Sequence, residues 1–90
     1  MSTTLQHSAG YDRVTYGGSY GERIVSVQGY DGEPMHLGDR VEVHPGLRTY
    51  GRFGTVVGFS LTAGDMVRIR MDGRDGTHGA PWQSVRRARV

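Results

Sequence analysis

The chain has 90 residues, no cysteine and a formal net charge of +2. At this length it makes one small domain with a thin core, no disulfide to brace it and no apolar run long enough for a membrane-spanning helix. Every one of its eleven basic residues is arginine, whose planar fork suits phosphate, carboxylate and base edges.

The charge is unevenly distributed. Residues 1–35 hold two arginines and four acids (Asp12, Glu22, Asp31, Glu33), a net of −2, whereas residues 36–90 hold nine arginines and five acids, a net of +4; together they give the +2 of the whole chain. The second part is therefore the basic one. Codon usage in a GC-rich genome would also produce an arginine-only set, so the absence of lysine does not by itself assign a role. Residues 1–10 are polar and carry no leader pattern, and the expected location is the cytoplasm.

Residues 1–21 are rich in Ser, Thr, Gly and Tyr and have no aliphatic periodicity. Alone they cannot bury enough surface to offset their ordering entropy. Four of the five tyrosines (Tyr11, Tyr16, Tyr20 and Tyr30) fall in the first third of the chain. Three readings of this arm stay open: a flexible tail, a segment that orders against a partner through Tyr11, Tyr16 and Tyr20, and one side of a hairpin in which residues 13–16 pair with residues 23–27. The first two imply that removing residues 1–21 leaves the stability of the isolated domain nearly unchanged. A division follows: an arm over residues 1–22, then a domain over residues 23–90. The turn cluster of residues 29–34 leads into the domain's central part, residues 36–90.

Three strands follow in succession. In the first, Leu37, Val41 and Val43 alternate with Arg40, Glu42 and His44, the period-two pattern of a half-buried strand, which Pro45-Gly46 ends. In the second, Phe53, Val57, Phe59 and Leu61 share one parity and are expected on one face, with Gly54 and Gly58 available for a bend. After a turn at residues 63–65, the third alternates Val67, Ile69 and Met71 with Arg68, Arg70 and Asp72. The glycine-rich turn of residues 73–79 leads to a short strand over residues 80–83. A single 3₁₀ turn at residues 83–85 and a last strand from residue 87 complete the chain. No segment has the pattern of an amphipathic helix.

The runs Gly38-Asp39-Arg40-Val41-Glu42-Val43, Gly51-Arg52-Phe53-Gly54-Thr55-Val56-Val57-Gly58 and Val67-Arg68-Ile69-Arg70-Met71-Asp72 resemble the KOW and Tudor-like branches of the Src-homology-3-like small barrels. These families open with a Gly-Asp-x-Val-x-Val strand and follow it with a Gly-x-x-Gly-x-Val strand. The resemblance covers about residues 36–90. It implies an all-β fold: a small five-stranded barrel, to which the Gly/Tyr-rich arm adds a strand or a hairpin if it orders. Members bind RNA, DNA, ribosomes, RNA polymerase or other proteins, and some are accessory domains without chemistry of their own. The match lacks the lysines of a KOW domain, and residues 45–52 have their own sequence.

Two constellations bear on function. Arg68 and Arg70 lie two apart on one strand, and Arg87 and Arg89 repeat that spacing on the last, so the four would make one phosphate-binding patch if their strands present a common surface. The loop containing Arg48, Tyr50 and Arg52 interleaves an aromatic ring with two guanidinium groups, the composition of a loop that stacks on bases and clamps phosphates; its apolar residues would equally cap the open end of a barrel. His36, His44 and His78 lack metal-ligand spacing, and Ser84, His78 and Asp75 lack the ordering of a nucleophile system, so no metal, cofactor or catalytic residue is expected. Trp82 is expected in the core or at the barrel rim, with stacking on a ligand as the alternative.

The leading expectation is a non-enzymatic module that binds nucleic acid or a nucleoprotein complex through Arg48, Tyr50, Arg52, Arg68, Arg70, Arg87 and Arg89. The alternative is a structural or assembly protein, such as a phage or mobile-element component, whose arm packs on a neighbouring copy or another protein through Tyr11, Tyr16 and Tyr20. In that case the protein is virion-associated rather than free in the cytoplasm. Neither reading involves a membrane.

Overall fold

The computed structural model describes residues 3–4, 13–21, 23–48, 51–62 and 65–89, and among them the chain is all-β. The strands are β1 (Thr3–Thr4), β2 (Val14–Gly17), β3 (Arg23–Gln28), β4 (Pro34–Met35), β5 (Arg40–Val43), β6 (Phe53–Thr62), β7 (Asp65–Met71), β8 (His78–Ala80) and β9 (Val85–Arg87). Single 3₁₀ turns at Pro45–Leu47 and Trp82–Ser84 interrupt them. The strands form two antiparallel sheets, one in the order β1-β2-β3-β4 and the other in the order β8-β7-β6-β5-β9. In the second, β5 to β8 run as a meander and β9 returns to pair with β5.

One apolar cluster draws on both sheets. Val14, Val27 and Met35 come from the first, each with no exposed surface, and Val41, Val43, Val56, Val67, Ile69, Met71 and Val85 come from the second. Tyr16, Ile24, Phe59, Ala80 and Trp82 pack against its margin. The register explains the selection: Val14 pairs with Val27, and Val27 with Met35, so the three stand side by side on one face of the first sheet. Glycine lets the two sheets meet closely. A Cβ on Gly29 would lie 2.6 Å from the Val85 carbonyl oxygen and 2.9 Å from the Arg86 Cα, both backbone atoms that cannot step aside. Next to it, the Tyr30 N–H donates to the same Val85 oxygen at 3.0 Å and ties the first sheet's last turn to β9.

The outcome is two open sheets, not the closed five-stranded barrel expected from the sequence. The apolar face that a closed barrel would bury against itself is covered instead by Val14, Val27 and Met35. Val14–Gly17 pairs with Arg23–Gln28 as a hairpin. Val14 is fully buried within that hairpin and belongs to the core cluster, although no periodic pattern surrounds it in the sequence. The expectation that removing residues 1–21 leaves stability nearly unchanged therefore turns on what this one burial contributes.

Second-sheet faces agree with the period-two reading in β7, where Val67, Ile69 and Met71 are buried. They depart from it in β6. Gly54 and Val56 face the core while Val57 is exposed, and a register irregularity between Val56 and Gly58 then returns Phe59 to the inside, opposite Val67. A bulge of this kind shifts parity along a strand, so Phe53 and Phe59 do not share a face. Leu37 is also exposed rather than buried with Val41 and Val43, because it precedes β5 and lies in the turn that enters it. The fourth strand, the second 3₁₀ turn and the last strand each begin one or two residues earlier than expected.

Candidate functional site

The alternation that buries Val41 and Val43 puts Arg40, Glu42 and His44 on the opposite, outer face of β5. The ladder extends that face sideways in rows. Arg40 is opposite Thr55, and Thr55 is opposite Arg70. Glu42 is opposite both Phe53 on β6 and Arg86 on β9, and beyond Phe53 the Asp72 N–H donates to the Phe53 carbonyl at 3.0 Å.

Glu42 is the centre of this face and is only 7% exposed although it points away from the core. Three guanidinium groups cover it. Its Oε2 accepts from Arg52 Nε at 2.8 Å and from Arg48 Nη2 at 3.1 Å, and its Oε1 accepts from Arg86 Nη2 at 2.9 Å. These hydrogen bonds, Arg52's first and Arg86's next, hold the Glu42 carboxyl below the usual glutamate range, and the bond to Glu42 raises Arg86 in turn. Each arginine arrives by a different route. The His44 Nδ1 accepts the Gly46 N–H at 3.1 Å and caps the 3₁₀ turn at Pro45–Leu47, which sends the chain back over the sheet. Arg48 can then donate from Nε to the Val43 carbonyl at 3.0 Å while it reaches Glu42. Arg52 precedes β6 and lies over the Phe53 ring, 4.9 Å from its centroid. Arg86 lies 5.9 Å from the centroid of Tyr30, whose ring meets His44 edge-on at 5.3 Å. Arg86 Nε is buried and has no hydrogen-bond partner among the described residues, which carries a desolvation cost.

The neighbouring row is more open. Arg40 holds Asp72 with two parallel bonds of 2.6 Å, which lower the Asp72 carboxyl and raise Arg40. Arg70 is exposed and makes no ion pair among the described residues. Arg68, on the same face of β7, donates to the Thr77 hydroxyl at 2.8 Å in the turn that leads to β8.

The outer face thus brings together Arg48, Arg52, Arg68 and Arg70 of the expected binding residues. It does not bring Arg87 and Arg89 to them. β5 and β6 lie between β7 and β9, and Arg87 is opposite Val41, on the parity of the core, where its Nε is 4.0 Å from Asp39. Arg89, past the end of β9, reaches Asp31 at 3.4 Å. With Glu33 and Ala88 these two line an open depression of about 240 Å³. Arg40 and Arg86 take their place on the outer face. Arg86 could have been found from Val85: an apolar residue just before a run of arginines fixes the inward parity, and its neighbour must point out.

Of the expected interface tyrosines, Tyr16 is half-buried against the core and Tyr20 is 94% exposed at the β2–β3 turn. Tyr11 and Tyr50 lie outside the described residues. His36 and His44 each serve a local turn, and the Ser84 hydroxyl donates to the Pro81 carbonyl at 2.8 Å. The Arg13 guanidinium stacks 3.6 Å from the centroid of Trp82 at the margin of the core.

In comparisons with known proteins, no family model, no curated protein and no solved structure matches the chain.

Proposed function

We propose that this protein is a non-enzymatic binding module whose partner is nucleic acid or a nucleoprotein complex, held on the outer face of the five-stranded sheet. The observation that carries the reading is the charge of that face. Among the described residues, Arg40, Arg48, Arg52, Arg68, Arg70 and Arg86 stand against Glu42 and Asp72, six cations less two anions, a local excess of +4 on a chain whose net charge is +2. A concentrated field of this sign draws a polyanion and releases its counterions on contact. The flanking rings of Phe53 and Tyr30 belong to the same surface and suit an unpaired base. The strand order, a meander of β5 to β8 with β9 returning to β5, is in keeping with the KOW- and Tudor-like small barrels, here as an open sheet.

The test is anisotropy of labelled single-stranded and duplex oligonucleotides across a salt series. Binding should weaken steeply as salt rises, with little dependence on base sequence, since phosphates carry no base information. Absence of binding even at low salt ends this reading. The assembly reading would then lead, on the observation that Tyr20 and Val25 are exposed on the β2–β3 hairpin. A contact made by such a surface would be far less sensitive to salt.

A further inference from the structure

The cluster around Glu42 has a layered construction that the neighbouring row lacks. The Glu42 side chain keeps 9% of its surface exposed, whereas those of Arg48, Arg52 and Arg86 keep 29%, 57% and 28%. The carboxylate lies underneath and the guanidinium groups lie on top, so an approaching ligand meets cations. Three positive charges over one negative leave an excess of +2. Arg52 commits only its Nε to Glu42 and sits over the Phe53 ring, so among the described residues both of its terminal nitrogens stay available as a fork. Arg48 is tied at two points, to Glu42 and to the Val43 carbonyl, and Arg86 lies against Tyr30. Three long side chains that would otherwise be free in solution are thus already held in place, and a ligand bound here is spared most of the cost of ordering them.

Resting on the nucleic-acid reading above, we infer that Glu42 is a positioning residue that preorganises Arg48, Arg52 and Arg86 into a seat for backbone phosphodiesters, with Arg52 presenting the bidentate fork. The seat recognises phosphate geometry and is indifferent to the base. Arg70 contributes diffuse charge only. Stability alone accounts poorly for the arrangement: a buried ion cluster seldom exceeds a well-packed apolar alternative, and this one keeps the Arg86 Nε buried without a partner among the described residues.

The inference makes a prediction opposite in sign to that from net charge. E42Q raises the net charge by one, so if the arginines acted only as diffuse charges the variant would bind a polyanion more tightly. If Glu42 positions them, E42Q binds more weakly, by about tenfold, because the guanidinium groups lose a charge-assisted anchor. Arg52 supplies a second test that does not depend on a buried group. R52K keeps the charge and removes the fork, so it should lose about as much affinity as R52Q, while R70K should bind like the unaltered protein. The measurement is anisotropy of a short labelled oligothymidylate and of a mixed-sequence duplex at fixed low salt, with melting curves for every variant. If E42Q does not melt cooperatively, the Arg52 pair decides. Tighter binding by a folded E42Q, or R52K indistinguishable from the unaltered protein, overturns the seat and leaves the nucleic-acid reading standing. No binding by the unaltered protein overturns both.

Discussion

The two sheets use their residues in different ways. The first, β1 to β4, contributes three fully buried residues to the core, with Tyr16 and Ile24 at its margin, and two of its strands are only two residues long. The second, β5 to β9, supplies the remaining seven buried residues on one face and nearly all the organised charge on the other. The first sheet is thus a cover that completes the core, and the second is a platform with one face buried in that core and the other carrying charge. That division matches the charge asymmetry of the chain, negative before residue 36 and positive after it.

The comparison breaks most readily in the core. If the cover is part of the fold, truncating either side of the shared cluster should be costly. Ile69→Ala in the platform should destabilise by about 2–4 kcal/mol, since its side chain is 1% exposed and the cavity it leaves is closed in by neighbours. Val14→Ala in the cover should cost about 1.5–3 kcal/mol for a fully buried valine. Chemical denaturation of the two variants measures both losses. A Val14→Ala loss near zero would reduce the first sheet to an appendage and restore the view of residues 1–21 as a dispensable arm.

The platform's outer face should show itself in acid. Glu42 and Asp72 both titrate below their ordinary range because arginines hold the charged forms. A carboxyl with a depressed folded value contributes stability that is present above its unfolded value, about 3.9–4.3 for these groups, and that is lost as pH falls through the folded value. Melting temperature should therefore fall as pH drops below that range, and E42Q should flatten part of the decline while lowering stability at neutral pH. A decline that E42Q leaves unaltered would place the acid sensitivity in carboxyls other than Glu42, Asp72 beside Arg40 first among them.

How legible these features are in the sequence depends on the distance over which each is specified. β7 is local: Val67, Ile69 and Met71 alternate with arginines, and period two places them correctly. β6 is not, because the irregularity at Val57 changes parity midway; Gly58 marks a place where the strand can bend, but the apolar spacing Phe53-x-x-x-Val57-x-Phe59 does not show that parity shifts there. Val14 and Val27 gain their burial from a pairing across the β2–β3 turn and from the opposite sheet, so no window of sequence around Val14 shows a core pattern. The Glu42 cluster is assembled from four separate places: β5, the residue after the 3₁₀ turn, the residue before β6, and β9. Glu42 reads as an ordinary outward residue of a half-buried strand, and only the ladder reveals that Arg86 stands opposite it. The expected grouping of Arg68, Arg70, Arg87 and Arg89 failed for the matching reason. Equal spacing on two strands says nothing about whether those strands present the same face.

The smallest effect on stability, and the sharpest separation of the platform's two faces, should come from Arg70, the immediate neighbour of Ile69. Arg70 is exposed, lies opposite Thr55 and makes no ion pair among the described residues. Arg70→Ala removes no buried surface and orphans no partner, so its cost in a denaturant titration should be below about 0.5 kcal/mol. If the outer face meets a polyanion, the same substitution removes one cation from the contact. The slope of log affinity against log salt should then shrink by up to about one, equally for different base sequences. The two readouts must separate: near-silent in stability, visible in the salt slope. A stability loss comparable with that of Ile69→Ala would mean that β7 presents Arg70 to the interior and that the faces are misassigned. Unchanged stability together with an unchanged slope would leave the faces intact and confine the contact to the half of the platform around Glu42, away from the Arg40–Thr55–Arg70 row.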